Sequence, residues 1–290
     1  MIDLHVHTYC SDGEHSPEKT VEIAKLSGIT DVAITDHDTC TGVERAMIKG
    51  REIGIEVIPG IEVTAYESEE IHVLGYYVNY KSSKLDDYAE LLKKDLKNEE
   101  NIIFDTFHEL GFEVTRDEII EKYAMGTSIA PGHFVDWLID NGFESNKKST
   151  YTKYFRNGKL AHRKADRMKV SEAVKFIKSI GGVPVLAHPI RISWNLKQLV
   201  SNIIELKEYG LMGLEAIYSM SDEDSIREHM KIARNTGLLI TLGSDYHGHK
   251  VKDYIDIGYG ERNSLVKYQD VKLTNRILHE LRQNELSMII

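Results

Sequence analysis

Short apolar runs that lead into histidines and carboxylates restrict this chain more than any other feature. Ile2–Thr8 carries His5 and His7, and Asp31–Thr35 leads into Asp36-His37-Asp38. Glu56–Thr64 carries Glu62, His72–Val78 opens on His72, and Val183–Ala187 leads into His188-Pro189. Gly213–Tyr218 is another such run, and Leu238–Leu242 leads into Asp245-Tyr246-His247. Runs of this length bounded by turn residues read as strands. Helical patterns separate them. Ser16 and Pro17 supply an N-cap and a first-turn proline, and Val21 and Ala24 carry one face on to Gly28. The βαβ rhythm points to a parallel sheet or barrel. In βα barrels the loops at the C-terminal ends of the strands form the active site, and most of these polar residues fall there.

The rhythm stops near Asn79. Leu85, Ala89, Leu92, Leu96, Ile103, Phe107 and Leu110 recur at helical steps, which predicts one long amphipathic helix. More helix is expected near Asp117–Tyr123 and Gly132–Asn141, with Phe134, Trp137 and Leu138 as a local core. The organisation expected is a barrel in two parts, residues 1–99 and 169–290, around a helical insertion domain at 100–168. The stretch Glu144–Lys169 carries nine Lys or Arg against two acids, inside a chain of net charge −10. Its Lys153 and Arg156 are candidates for holding a phosphate, and Tyr154 for stacking on a base.

Composition narrows the function classes. A net charge of −10 is a poor match to duplex DNA. Only two cysteines occur, Cys10 and Cys40, and neither belongs to a CxxC pair, so no disulfide framework or zinc ribbon is expected. No stretch approaches the roughly 18 apolar residues of a membrane span. The start, MIDLHVHTYCSDGEHS, lacks the basic region and apolar run of a signal peptide. A cytoplasmic, reduced protein without membrane contact is the expectation. Thirteen histidines together with Asp and Glu form the ligand set of catalytic Zn, Mn or Fe sites.

The pattern resembles the PHP (polymerase and histidinol phosphatase) superfamily of metal-dependent phosphoesterases. The likeness rests on HVH with SDG (His5, His7, Asp12), TDHDT (Thr35–Thr39), PGIE (Pro59–Glu62), LAHP (Leu186–Pro189) and GSDYHG (Gly243–Gly248), in that order. It implies an α/β fold, a distorted (β/α)7 TIM-like barrel, with two to three divalent transition-metal ions (Mn, Zn or Fe). By the same resemblance His5, His7, Glu62 and Asp245 would hold one metal. Glu62 would bridge to a second held by His72 and His188, and Asp12, His37 and His247 would hold a third. The branch with a helical insertion, similar in GIEVTA, GGVPVLAHPIR and LLITLGSDYHGHK, hydrolyses 3′,5′-nucleoside bisphosphates, and some members trim short RNA from the 5′ end.

The expected reaction is hydrolysis of a nucleotide phosphate ester by a metal-activated hydroxide. His188, His247, Asp245 and Glu62 are the expected catalytic residues, with His188, His247 or an Asp near the third metal open as proton donor. Arg191, three residues after His188, is the expected phosphate clamp. The alternatives are a phosphatase for another small phosphate such as histidinol phosphate, and a non-catalytic metal-stabilised module.

Overall fold

The computed structural model describes residues 1–124, 129, 131–155 and 167–289. Its strands are β1 (Ile2–Val6), β2 (Asp31–Ile34), β3 (Glu56–Tyr66), β4 (Glu70–Tyr76), β5 (Val183–Leu186), β6 (Gly213–Tyr218) and β7 (Leu239–Gly243). All seven pair in sequence order in one sheet. Just past β7 the chain rejoins β1. The Asp245 N–H donates to the His5 carbonyl and the His7 N–H to the Tyr246 carbonyl, each at 2.9 Å. The sheet is a nearly closed barrel whose strands carry fully buried side chains such as Leu4, Val32, Val63, Leu74, Val185 and Leu214.

One strand departs from the parallel arrangement that the sequence rhythm suggests. β4 runs antiparallel to both β3 and β5. Only Glu67, Ser68 and Glu69 separate β3 from β4. Such a link can make a hairpin, whereas a parallel crossover needs a dozen or more residues. β3 is also long. Its pairing with β2 ends at Ile34↔Pro59, while its pairing with β4 continues to Tyr66↔Glu70, so the hairpin rises past the end of β2.

The helices are α1 (Pro17–Leu26), α2 (Val43–Ile53), α3 (Ser83–Glu109), α4 (Arg116–Ile119), α5 (Pro131–Asp140), α6 (Lys147–Tyr154), α7 (Val170–Ser179), α8 (Leu196–Tyr209), α9 (Glu223–Thr236) and α10 (Val271–Ile289). Each barrel helix buries one face at helical spacing, as Val170, Ala173, Val174 and Ile177 do on α7. Their starts are specified locally. Ser16 accepts from the Lys19 N–H, Asp222 from the Ser225 N–H, and Asn195 forms a reciprocal box with Gln198. No helix among the described residues is long and apolar enough to cross a membrane.

By internal contacts the chain forms two compact units, Met1–Ala89 with Met168–Ile290, and Glu90–Arg167. The first division therefore falls inside α3, ahead of the boundary at 99/100 drawn from the sequence. The second unit has its own core of Ile103, Phe104, Phe107, Val114, Ile119, Phe134, Val135, Trp137, Leu138, Tyr154 and Phe155. Phe134 meets Phe104 and Phe107 edge to face, with ring centroids 4.9 and 5.2 Å apart. α6 lies in the basic stretch Glu144–Lys169. Its lysines hide the apolar period, but Asn146 caps it by accepting from the Ser149 N–H at 3.0 Å.

Candidate metal centre

The strand ends bring nine side chains to one rim of the barrel. Along β1, residues two apart share a face, so His5 and His7 point together. Asp12 follows in the next loop, His37 lies past β2, Glu62 is within β3, and His188 follows β5. Asp245 and His247 follow β7. His72 lies near the start of β4, and because that strand is reversed its first residues stand at the same rim as the last residues of its neighbours. Asp38, His188 and Asp245 have positive φ values of 57°, 23° and 58°. Such strain costs on the order of 1–3 kcal/mol per residue and persists only where the surroundings enforce it. Backbone bonds do so here: Asp38 N–H to the Glu62 carbonyl at 2.8 Å, and Asp245 N–H to His5.

Glu62 is fully buried at the centre. Its Oε2 lies 3.0 Å from His5 Nε2, 3.1 Å from His7 Nε2 and 3.3 Å from His37 Nδ1. Its Oε1 lies 2.9 Å from His72 Nδ1 and 3.0 Å from His188 Nε2. Asp245 Oδ1 is 3.4 Å from His7 and 3.3 Å from His247 Nδ1, while Asp12 Oδ2 is 3.2 Å from His247 Nε2. Four overlapping sets emerge: His5, His7 and Asp245; His5, Glu62 and His188; His37, Glu62 and His72; and His7, Asp12, His37 and His247. Within each set the ligand atoms lie within 4.8 Å of one another.

The electrostatics show what these groups lack. Burial opposes ionisation of Glu62, yet His5 and His72 hold its carboxyl well below the usual range. Burial pushes His37 down to about 3, which keeps it neutral. It also disfavours protonation of His72, but Glu62 and Glu70 overcome this and raise the ring to about 10. His5 and His7 aim Nε2 atoms at each other across 3.1 Å and at the same oxygen of Glu62. His37 Nδ1 is buried without a hydrogen bond despite facing that oxygen. Imidazole nitrogens and carboxylate oxygens converging this closely suit a divalent cation. The oxygen and imidazole donors fit Zn, Mn or Fe chemistry. Cys40 is buried, its thiol pushed up to about 12 by burial and by Asp36, and it donates to the Gly60 carbonyl, so it supplies no thiolate.

Several residues around the centre went unnoticed in the sequence. Glu215 on β6 is fully buried, 2.9 Å from His5 Nδ1, and accepts from the His188 N–H at 2.8 Å. A carboxylate in the middle of the apolar run GLEAIY is the signal that marks it. Glu70 lies 3.0 Å from His72 Nε2. Tyr218 donates to Asp245 Oδ2 at 2.8 Å, and Lys252 reaches the same oxygen at 2.7 Å. These partners set tautomers and orientations, as outer groups do around bound metals.

The substrate-binding candidates fare differently. Arg191 is half exposed, with a guanidinium nitrogen 3.5 Å from Asp245 Oδ2. Tyr154 is buried in the core of the helical unit and donates to Glu144 at 3.0 Å, so its ring offers no open face for a base. Lys153 pairs with Glu144 at 2.5 Å. Arg156 lies outside the described residues. His15, His108, His229, His249 and His279 join none of the four ligand sets.

Comparison with known proteins matches residues 3–161 to the PHP domain. A 5′-3′ exoribonuclease of Haemophilus influenzae is 30% identical over 251 residues, 84% of this chain and 89% of that protein. A phosphoribosyl 1,2-cyclic phosphate 1,2-diphosphodiesterase of Eggerthella lenta is 32% identical over 257 residues, 85% and 94% of the two chains. Among solved structures, a Bifidobacterium adolescentis protein assigned as a metal-dependent phosphoesterase superposes with a TM-score of 0.71 at 25% identity, covering 96% of each chain.

Proposed function

The chain belongs to the PHP domain family and is a metal-dependent phosphoesterase, and we propose that it hydrolyses phosphate esters of nucleotides, such as 3′,5′-bisphosphonucleotides or the 5′ ends of short RNA. The substrates for which the two relatives are named, RNA and a phosphoribosyl cyclic phosphate, share a ribose that carries phosphate. The observation that carries the site reading is the split use of Glu62, whose two oxygens face different histidine groups. In this reading His5, His7, Glu62 and Asp245 hold one cation. Glu62, His72 and His188 hold a second, and Asp12, His37 and His247 a third, the ions being Mn, Zn or Fe.

Such ions, when bound, supply a nucleophilic hydroxide at neutral pH and neutralise charge on the phosphoryl oxygens. The chain's own residues do the rest. Glu215 fixes the His5 ring through Nδ1 and leaves Nε2 directed at the centre. The rim positions a phosphoryl group beside Arg191, among the side chains of His188 and His247. Arg191 grips a phosphate oxygen with its planar fork.

The test is a phosphate-release assay on the metal-loaded protein across nucleotides, bisphosphonucleotides and sugar phosphates, with Mn, Zn or Fe added. Hydrolysis of nucleotide esters is the expected result. A preference for a non-nucleotide phosphate ester overturns the substrate assignment. Arg191→Ala is expected to lower kcat/KM by about tenfold or more, the worth of a charge-assisted contact, with metal content unchanged.

A further inference from the structure

Asp245 turns its two oxygens toward different chemistry. Oδ1 faces His5, His7 and His247 at 3.7, 3.4 and 3.3 Å. Oδ2 faces away from them and collects donors: the Tyr218 hydroxyl at 2.8 Å, the Lys252 ammonium at 2.7 Å and the Arg191 guanidinium at 3.5 Å. Lys252 also donates to the Asp245 carbonyl at 3.3 Å, and its side chain is only 18% exposed. We propose that Lys252, together with Tyr218 and Arg191, forms a subsite that binds a phosphoryl oxygen of the substrate beside Asp245.

Charge supplies the argument. An ammonium held on a carboxylate weakens that carboxylate as a ligand for a divalent cation, because both cations draw on the same electrons. A part-buried lysine is also costly without a counterion. Once Asp245 serves a cation, Lys252 needs another anion, and the substrate of a phosphoesterase brings one. A hydroxyl, an ammonium and a guanidinium around one oxygen exceed what a carboxylate oxygen needs, but they match the several acceptors of a phosphate. The Tyr218 hydroxyl already acts as a donor in this arrangement, on Asp245 Oδ2 at 2.8 Å.

The subsite is built before any ligand arrives. The Val251 and Lys252 N–H groups donate to the Gly248 carbonyl at 3.1 and 2.9 Å, a turn that folds Lys252 back over Asp245. Gly248 has φ +90°, and a Cβ there would meet Glu14 Cβ at 2.4 Å, so the turn requires glycine at this position.

The inference rests on the reading of the rim as a metal centre, and the experiment keeps the two apart. Inorganic phosphate binding is measured by calorimetry on the metal-loaded protein, alongside metal content and the kinetics of p-nitrophenyl phosphate hydrolysis. Lys252→Met is expected to weaken phosphate binding tenfold or more and to raise KM more than it lowers kcat, with metal content unchanged. Lys252→Arg should recover most of the binding, and Tyr218→Phe should lose less than Lys252→Met. Unchanged phosphate affinity in Lys252→Met overturns the subsite. Loss of metal in step with loss of phosphate also overturns it, since Lys252 would then only support Asp245. A wild-type protein that binds no metal strikes the metal-centre reading instead.

Discussion

The barrel rim and the core of the helical unit are both buried clusters of rings, held together by opposite means. In the helical unit Phe104, Phe107, Phe134 and Tyr154 touch through edges and faces, and every close contact is favourable as it stands. At the rim His7 stacks on His247 with ring centroids 4.0 Å apart and meets His37 at 4.6 Å, all around carboxylates. The apolar cluster is complete in itself. The polar one is a frame of ligand atoms crowded around Glu62. Burial therefore means packing in one region and function in the other.

Glu62→Gln breaks that contrast most sharply. A neutral amide cannot serve cations on both sides, so activity is expected to fall about a thousandfold or more, the scale lost when a group stabilising transition-state charge is removed. Metal content, read by elemental analysis, should fall with it, while the near-ultraviolet signal of the aromatic core stays. Near-normal activity in this variant would remove the bridging role. Phe107→Ala is the mirror experiment. Phe107 is fully buried, and its loss is expected to cost about 3–5 kcal/mol in denaturant unfolding with metal stoichiometry unchanged. If that variant lost metal while staying folded, the two regions would not be independent.

Glu215→Gln separates orientation from ligation. It keeps the shape of the side chain but takes charge from the carboxylate that orients His5, and metal affinity should drop roughly 10–100-fold. Metal titration in the presence of a competing chelator reads this directly.

A pH series on metal-free protein comes next. Although burial works against protonation, Asp245 and Glu62 raise His7 to about 9, and Glu62 and Glu70 raise His72 to about 10. The unfolded value is about 6.5. Protons on these rings thus stabilise the folded metal-free state fully below pH of about 6.5, and that contribution is lost as pH rises through about 9 to 10. The Tm of the metal-free protein should fall across that window, and a rising Tm would show that the rim is not proton-stabilised. Smallest of all, Lys153→Ala removes an exposed partner of Glu144 and should leave the thermal midpoint where it was.

The sequence disclosed the rim well because each motif sits beside a strand end, where the switch from apolar run to His or Asp marks both the turn and the chemistry. Strand direction was harder to see. Apolar alternation is the same read either way, so only the short link Glu67–Glu69 betrays that β4 is reversed and why His72 stands at its start. Glu215 escaped notice because one carboxylate inside an apolar run looks like an interruption until the facing His5 is known. Tyr154 misled for the opposite reason. Surrounded in sequence by Lys153 and other cations, it reads as a surface ring, yet α6 turns it into the aromatic core. Lys252 lies just beyond the GSDYHG run, and only the turn on Gly248 brings it back to Asp245.

The seam that closes the barrel has a kinetic consequence. Asp3 Oδ1 accepts from the Ser244 N–H across 241 positions of sequence, beside the bonds that join His5 and His7 to the segment after β7. Bringing such distant segments together costs about 5 kcal/mol of chain entropy by the logarithmic loop law. Contacts of this range form slowly, after local ones such as the β3–β4 hairpin. The rim should therefore be the last part of the barrel to mature during refolding. A cation held by His5, His7 and Asp245 together would act as a clasp on that seam and slow its reopening.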